Sequence, residues 1–259
     1  MPACISCGKL NKDLQICEVA HIKPLRNCIT PIIEEYHSLF FSGCKVLEIG
    51  CGAWSPSKKY CEENQMIWEG IDVLEYYMGK KTIATKIASV NDLPYDENYF
   101  DFIIGNQSLE HWDENRVPLR KGLSEVFKVL KPGGMALFNV PIHFHGDYLF
   151  VEGNLELIKS KFTPFCSEIL FEPWRKPSHP LPEIKHLGRV FRHRHELKNS
   201  NAYILDIRAR KMKGSVPYFN DQPRSSISRL IDGLQKKGLQ YYVYLISQKL
   251  TLYWKRYRK

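Results

Sequence analysis

One short stretch, residues 45–54, constrains this chain more than any other part of its sequence. Its run Val46-Leu47-Glu48-Ile49 predicts a buried strand, which ends at Gly50-Cys51-Gly52. Ser55-Pro56 follows and favours a helix start, because serine can cap a helix and proline fits its first turn. A buried strand that turns on glycines into a helix is typical of the ligand corner of a doubly wound α/β sheet. Glycine has no Cβ, so a ligand can approach the backbone closely there.

Strand and helix patterns alternate along the rest of the chain. Further strands are predicted over Met66–Val73, Thr82–Ala88, Phe100–Ile104, Met135–Val140, Glu168–Trp174 and Ala202–Arg210, and helices over Thr30–Phe41, Val117–Leu130 and Leu155–Phe162. Lys131-Pro132-Gly133-Gly134 is a typical helix stop. This alternation predicts a parallel sheet of the α/β class. Asp72 stands 20 residues after Gly52, where a ribose-binding acid is expected at the end of the second strand.

Five pieces of sequence make roughly residues 30–145 resemble the class I S-adenosylmethionine-dependent methyltransferases. The resemblance is greatest to the small-molecule branch that includes the ubiquinone and sugar methyltransferases. The pieces, in the order and spacing of that family, are Val46–Gly52, Gly70–Val73, Leu93–Asp101, Ser108–His111 and Val129–Gly134. The resemblance implies a doubly wound, mostly parallel seven-stranded sheet of the Rossmann-like methyltransferase type, followed here by a basic helical C-terminal tail.

The resemblance also implies where S-adenosylmethionine would bind. Glu48 and the turn Gly50, Cys51 and Gly52 would line its methionyl part. Asp72 would accept both ribose hydroxyls, with Val73 beside it. Ser89 and Val90 would flank the adenine, and Asn106 and Gln107 would border the methyl group.

Two positions depart from the family pattern. Trp54 stands where the family usually has a third glycine, and Ser89 stands near a position where many members have an adenine-binding aspartate. These departures leave open a binding module that has lost catalysis. A nicotinamide dehydrogenase is less favoured, because its third glycine is replaced here by Ser55 and its pyrophosphate site would lack that close packing.

Three histidines are candidates for a catalytic base on the acceptor side. Ligand-binding loops in this fold follow the carboxyl ends of the strands. His111 follows the fourth predicted strand, and His143 and His145 follow the fifth. A hydroxyl acceptor benefits from a base, and histidine titrates near neutral pH. Each of them can instead orient the substrate or simply pack.

The positive charge of the chain is concentrated at its end. The net charge is +9, and residues 224–259 hold nine Lys or Arg and one acid, which gives +8 and leaves +1 for residues 1–223. Apolar residues at helical spacing between these basic residues predict an amphipathic tail on an anionic membrane surface. The alternative is a helix packed on the body. Nucleic acid is not the expected partner, since residues 1–223 offer no second basic face.

The first residues contain a possible set of metal ligands. Cys4, Cys7, Cys17 and His21 have spacings compatible with tetrahedral zinc. The alternative, an N-terminal arm with free thiols, is favoured, and no metal site is predicted. Neither a secretory signal nor a long apolar run is present. The expected location is therefore cytoplasmic, with peripheral contact at the inner face of the membrane.

The sequence thus predicts an arm (1–29), a methyltransferase domain (30–213) with an acceptor-side insertion (147–200), and a tail (214–259). The expected activity is O-methylation of a sugar or surface glycan in polysaccharide biosynthesis. That expectation rests on the resemblance, the histidine-rich loop and the basic aromatic tail. The alternatives are a lipid or quinone methyltransferase and an inactive binding module.

Overall fold

The computed structural model describes residues 32–77, 79–142, 146–175, 203–225 and 227. The chain divides into two compact units, residues 1–221 and 222–259. Every element below belongs to the first unit. Within the second, only residues 222–225 and 227 are described. None of the helices in these ranges is long and apolar enough to cross a bilayer.

The first unit is built on a seven-stranded sheet. Its strands are β1 (Lys45–Ile49), β2 (Ile67–Asp72), β5 (Lys86–Ile87), β6 (Phe100–Asn106), β7 (Leu130–Ile142), β8 (Cys166–Arg175) and β9 (Tyr203–Lys211), in the order β5-β2-β1-β6-β7-β9-β8. In this order the first five strands, β5-β2-β1-β6-β7, pair in parallel. β9 pairs antiparallel with both β7 and β8. The predicted doubly wound, mostly parallel seven-stranded sheet is confirmed.

Helices cover both faces of this sheet. On one face lie α1 (Ile32–Glu35) and α2 (Pro56–Glu63), and on the other α3 (Leu119–Val129), α4 (Tyr148–Glu152) and α5 (Leu155–Phe162). Short 3-10 turns follow α1 at His37–Leu39 and follow β6 at Leu109–His111 and Asp113–Asn115. The larger apolar core lies between the sheet and α3, α4 and α5, and it includes Phe100, Phe127, Phe138 and Phe162.

The helix after β1 begins as its sequence predicts. Ser55 has extended backbone angles, and its side chain accepts a hydrogen bond from Lys58 N. Pro56 occupies the first helical position. The serine satisfies one of the free N–H groups of the first turn, and the proline has no N–H that needs a partner. The strand, the glycine turn and the helix therefore form one continuous unit.

Two predicted elements are wrong. The helix predicted over Thr30–Phe41 is shorter among the described residues: α1 ends at Glu35 and a 3-10 turn follows, because the rings of Phe40 and Phe41 turn to pack on Phe102. The strand predicted over Thr82–Ala88 is reduced to β5. A hairpin precedes it, made of β3 (Tyr76–Tyr77) and β4 (Lys80–Lys81).

Candidate active site

The Gly50–Gly52 turn is held against the end of β2 by main-chain hydrogen bonds. Gly50 N and Cys51 N both donate to the carbonyl oxygen of Ile71, at 2.9 and 3.2 Å. Gly50 and Gly52 have φ angles of +75° and +62°, in the region that favours glycine. A Cβ on Gly50 would lie 2.8 Å from the Cβ of Ser108, so close packing requires glycine there as well.

Asp72, the last residue of β2, fastens this turn. Its Oδ2 accepts a hydrogen bond from Gly52 N at 3.0 Å, and its Oδ1 accepts one from Leu74 N at 2.9 Å. A carboxylate oxygen has two lone pairs, so both oxygens can also accept a ligand hydroxyl. The position and the hydrogen-bonding capacity of Asp72 fit its predicted role as the ribose ligand, which stays a prediction.

The space beside Gly52 is open on the side where its Cβ would be. Among the described residues, one atom lies within 4 Å of that point, Cδ1 of Tyr77 at 4.0 Å. Trp54 is 68% exposed and does not fill this space. A bare backbone surface next to a carboxylate suits the sugar and methionyl parts of S-adenosylmethionine. The residues present therefore fit that cofactor.

Replacing Trp54 by alanine should leave the site intact. An exposed side chain contributes little to packing, so the free energy of unfolding should change by no more than about 0.5 kcal/mol. The affinity for S-adenosylmethionine, measured by calorimetry, should stay within about twofold, since the ring lies outside the space beside Gly52. A loss of affinity of about tenfold or more would show that Trp54 forms a wall of the binding site.

Glu48 is a buried carboxylate that joins three parts of the site. Its Oε2 accepts hydrogen bonds from Ser55 Oγ at 2.5 Å and from Trp68 Nε1 at 3.0 Å, and its Oε1 accepts one from Asn106 Nδ2 at 3.1 Å. Burial raises the pKa of Glu48, and these hydrogen bonds oppose the rise. Glu48 therefore ties the end of β1 to the start of α2 and to the end of β6. Its predicted contact with the methionyl group is not tested by these bonds.

The predicted adenine side lies after β5. Ala88 N donates to the carbonyl oxygen of Asp72 at 2.9 Å, which brings this segment to the end of β2. Ser89 is half-buried, and its Oγ accepts a hydrogen bond from Asn91 N at 3.1 Å. Val90 is buried in the core, whereas Val73 is 40% exposed. Of the predicted apolar contacts to the cofactor, Val73 is thus the more accessible.

Asn106 and Gln107 lie where β6 ends, next to the turn. Asn106 Oδ1 accepts hydrogen bonds from Ile32 N at 2.9 Å and from Asn139 Nδ2 at 3.3 Å. Gln107 has a φ angle of +50°, and its N–H donates to Asn139 Oδ1 at 2.9 Å. The structure therefore brings Glu48 and Asn106 into direct contact, and it uses Asn139 to hold the chain as it leaves β6.

A row of polar side chains, not foreseen from the sequence, crosses one face of the sheet. It comprises Glu48, Asn106, Asn139, Asp206 and Glu172, and we call it the polar row. Asn106 pairs with Asn139 across β6 and β7, and Asp206 pairs with both Asn139 and Glu172. The sequence feature that could have indicated this row is Asp206, an acid within the otherwise apolar strand segment Ile-Leu-Asp-Ile.

Tyr36 lies over the far end of the polar row. Its hydroxyl is 2.5 Å from Glu172 Oε2 and 3.0 Å from Asp206 Oδ2. Burial and the two acids raise the pKa of Tyr36, so the phenol stays neutral. A phenol has one hydrogen to donate, so both contacts are hydrogen bonds only when one carboxyl carries a proton. The Arg208 guanidinium lies 4.7 Å from the Tyr36 ring centre, where its positive charge offsets part of the negative charge of Glu172 and Asp206.

His111 is the only one of the three candidate bases within the described residues. Its Nδ1 lies 3.0 Å from Glu114 Oε2, and its Nε2 lies 3.8 Å from Glu110 Oε1. Burial lowers the pKa of His111, but the hydrogen bond to Glu114 and the charges of both acids raise it above its usual value. Burial also raises the pKa of Glu110 to about 7, although the charge of His111 acts to lower it. His143 and His145 lie outside the described residues.

Several further predictions concern residues outside the described part of the chain. These are the zinc ligand set Cys4, Cys7, Cys17 and His21, and most of the tail 224–259. Among the residues that are described, no group of three or more His, Cys, Asp or Glu side chains is arranged to hold a metal ion.

Comparison with known proteins places this geometry in a family. The sequence profile of the methyltransferase domain matches residues 47–138, which include the glycine turn, Asp72 and Asn106. Residues 47–138 are a class I S-adenosylmethionine-dependent methyltransferase domain. The domain is similar to the crystal structure of the [4+2]-cyclase SpnF, with a TM-score of 0.51, 19% identity, and coverage of 71% of this chain and 80% of that chain. At that identity the likeness shows the fold alone.

Two curated relatives of this domain are named as a sterol methyltransferase and a hydroquinone methyltransferase. A sterol 24-C-methyltransferase of Gibberella zeae is 28% identical over 105 residues, which are 36% of this chain and 26% of the relative. The chloroplastic 2-methyl-6-phytyl-1,4-hydroquinone methyltransferase 1 of Oryza sativa is 28% identical over 116 residues, 40% of this chain and 33% of the relative. The match therefore spans a third or less of the length of either relative.

Proposed function

We propose that this protein transfers a methyl group from S-adenosylmethionine to a small-molecule acceptor. The observation that carries the proposal is the geometry of Asp72, which fastens the Gly50–Gly52 turn and leaves open space beside Gly52. When bound, S-adenosylmethionine supplies a methyl group on a sulfonium centre for in-line displacement. The match to the methyltransferase domain includes this corner and supports the same activity.

The contribution of the protein residues is mainly binding and orientation. Asp72 would hold the ribose hydroxyls, and the backbone of Gly50–Gly52 would lie along the methionyl part. Asn106 and Gln107, fixed by Asn139, would border the methyl group. Good orientation of two reactants can lower a barrier by about 7–11 kcal/mol, so these rigid contacts can account for much of the catalysis.

For the acceptor we propose an oxygen of a sugar or surface glycan. Support comes from the resemblance to sugar methyltransferases, from the histidines of the acceptor loops, and from a basic aromatic tail suited to a membrane-bound acceptor. A second candidate is a lipid or quinone, which the names of the sterol and hydroquinone relatives favour. Transfer of a labelled methyl group to polysaccharide precursors or to a sterol and quinone panel distinguishes the two.

If a histidine removes the acceptor proton, its loss should affect turnover far more than cofactor binding. We therefore expect His143→Ala and His145→Ala to lower kcat by about 10²-fold or more, the usual share of a general base, with the Kd of S-adenosylmethionine unchanged. Steady-state turnover assays measure kcat, and calorimetry measures the Kd. Wild-type turnover in both variants would leave His111, or no base, for this role.

The proposed activity has a direct test in calorimetric titration of the full-length protein with S-adenosylmethionine. Binding at micromolar concentration, followed by release of S-adenosylhomocysteine in the presence of acceptor, supports the proposal. Absence of binding at millimolar cofactor would contradict it. Binding without transfer to any acceptor would favour the inactive module instead.

Residues 224–259 are proposed to bring the enzyme to an anionic membrane surface. Each basic residue near such a surface contributes about 1 kcal/mol to binding, so a segment of charge +8 should bind measurably. Flotation with vesicles of anionic lipid, compared for the full-length chain and a chain ending at residue 223, tests this. Equal flotation of the two would remove the membrane role.

A further inference from the structure

The connection between β2 and β5 differs from the two crossovers of the parallel sheet that contain a helix. β1 leads to β2 through α2, and β6 leads to β7 through α3. Residues 73–85, which are described except for Met78, contain no helix and form the hairpin of β3 and β4 instead. Gly79, with a φ of +81°, lies in its turn, and Thr82 N donates to Glu75 O at 2.9 Å to close its base.

This hairpin is attached to the glycine turn. Ile83 N donates to the carbonyl oxygen of Gly52 at 2.9 Å, while the N–H of the same glycine donates to Asp72. Gly52 is thus bonded to the hairpin segment through its carbonyl oxygen and to the Asp72 side chain through its N–H. One main-chain hydrogen bond and one hydrogen bond from the main chain to a carboxylate therefore link the hairpin to the proposed ribose site.

The two tyrosines of β3 point in opposite directions. Successive side chains of a strand alternate between its faces, and cross-strand partners share a face. Tyr77 pairs with Lys80, and Tyr76 pairs with Lys81. Tyr77 is the one that faces the turn, because its Cδ1 is the described atom found within 4 Å of the Cβ position of Gly52. Tyr76 is directed away from that side and is 59% exposed.

Tyr77 stands at the open side of the turn and still has free surface. Its side chain is 45% exposed, so part of the ring can be covered by a ligand. In the proposed function, the ligand groups beside Asp72 and Gly52 are the ribose hydroxyls and the sugar ring. An aromatic face packs well against the apolar faces of a sugar or a purine, and such contacts add measurable affinity.

We propose that Tyr77 is a cofactor-binding residue whose ring packs on the ribosyl part of S-adenosylmethionine, opposite Asp72. The inference rests on the proposed function and adds to it a residue of the hairpin that replaces the crossover helix. The cofactor is then held between a carboxylate on β2, a bare glycine backbone, and an aromatic ring on β3.

The adjacent tyrosine provides a matched control for the test. Full-length Tyr77→Ala, Tyr77→Phe and Tyr76→Ala proteins are titrated with S-adenosylmethionine and with S-adenosylhomocysteine by calorimetry. We expect Tyr77→Ala to raise both dissociation constants by about tenfold, the size of one aromatic packing contact. Tyr77→Phe and Tyr76→Ala should stay within about twofold of wild type, because the ring face and not the hydroxyl makes the contact.

Each result bears on a defined claim. A wild-type protein that does not bind the cofactor contradicts the proposed function itself. A wild-type protein that binds, with equal affinity in Tyr77→Ala, overturns the inference alone. Equal losses in Tyr76→Ala and Tyr77→Ala would show a general effect on the hairpin and also overturn it. A loss for S-adenosylmethionine only would put the ring at the sulfonium and not at the ribose. Thermal melts of all variants show whether each one is folded. Tyr77→Leu is the second variant, for use if Tyr77→Ala does not fold.

Discussion

Asp72→Asn should reduce the affinity for S-adenosylmethionine by about a hundredfold or more. The carboxylate has two functions in the structure: it accepts the N–H groups of Gly52 and Leu74, and it is positioned to accept two ribose hydroxyls. Hydrogen bonds to a charged group contribute about 1.5–3 kcal/mol each, and about 1.4 kcal/mol corresponds to a factor of ten. Asparagine has one oxygen, so one main-chain N–H also loses its acceptor.

The measurement is calorimetric titration, with thermal melts to show that the variant is folded. Asp96→Asn is a suitable control, because it makes the same change of charge at an exposed acid. Affinity in the control should equal that of wild type. If Asp72→Asn bound the cofactor as tightly as the control, the ribose site would have to lie elsewhere.

Gly50→Ala should be among the most damaging single-methyl changes in this fold. The φ of +75° costs an L-residue about 1–2 kcal/mol. The new Cβ would also lie 2.8 Å from the Cβ of Ser108, and such overpacking typically costs about 1–3 kcal/mol more. We expect the free energy of unfolding to fall by about 2–5 kcal/mol and Tm to fall by about 10 °C. Cofactor affinity should fall as well, since the turn must shift.

Gly43→Ala separates the two contributions. Gly43 has a φ of +79°, but no described atom lies within 4 Å of its Cβ position. The control therefore carries the backbone cost without the contact, and Tm should fall by only about 3–5 °C. Equal losses of stability in the two variants, measured by denaturant unfolding, would mean that Ser108 can move aside freely.

The parts of the fold that the sequence predicted correctly are those whose signals are local. The strand at 45–49, its glycine turn and the helix opened by Ser55-Pro56 lie within twenty residues, and each signal has one physical cause. The helix Leu155–Phe162 was predicted with its observed limits, and Asn154 caps it by accepting from Leu157 N. Such caps act over three or four residues, so a sequence displays them directly.

The hairpin of β3 and β4 has no such signal. Its residues Tyr76, Tyr77, Lys80 and Lys81 are all exposed, so burial imposes no apolar alternation on them. A strand that buries neither face cannot be recognised from hydrophobic periodicity. The prediction of one long strand over Thr82–Ala88 is also wrong, because only residues 86–87 pair with β2.

The polar row depends on contacts across long stretches of chain. Tyr36 and Asp206 are 170 residues apart, and Asn106 and Asn139 are 33 apart. Periodicity and local propensity carry no information on such pairs. The N-terminal helix was misjudged for a related reason: tertiary contacts of Phe40 and Phe41 with Phe102 outweigh the helical preference of their segment.

In β7 and β9, side chains that pack in the larger core alternate with side chains of the polar row. In β7, Phe138 and Val140 face the larger core, whereas Asn139 between them belongs to the polar row. In β9, Asp206 lies in the same way between Leu205 and Ile207. A slip of one residue between these strands would direct the polar groups into the larger core and the core side chains onto the face of the polar row. Because the polar row and the larger core lie on opposite faces, the thickness of the sheet separates the polar contacts of the row from the packing of that core.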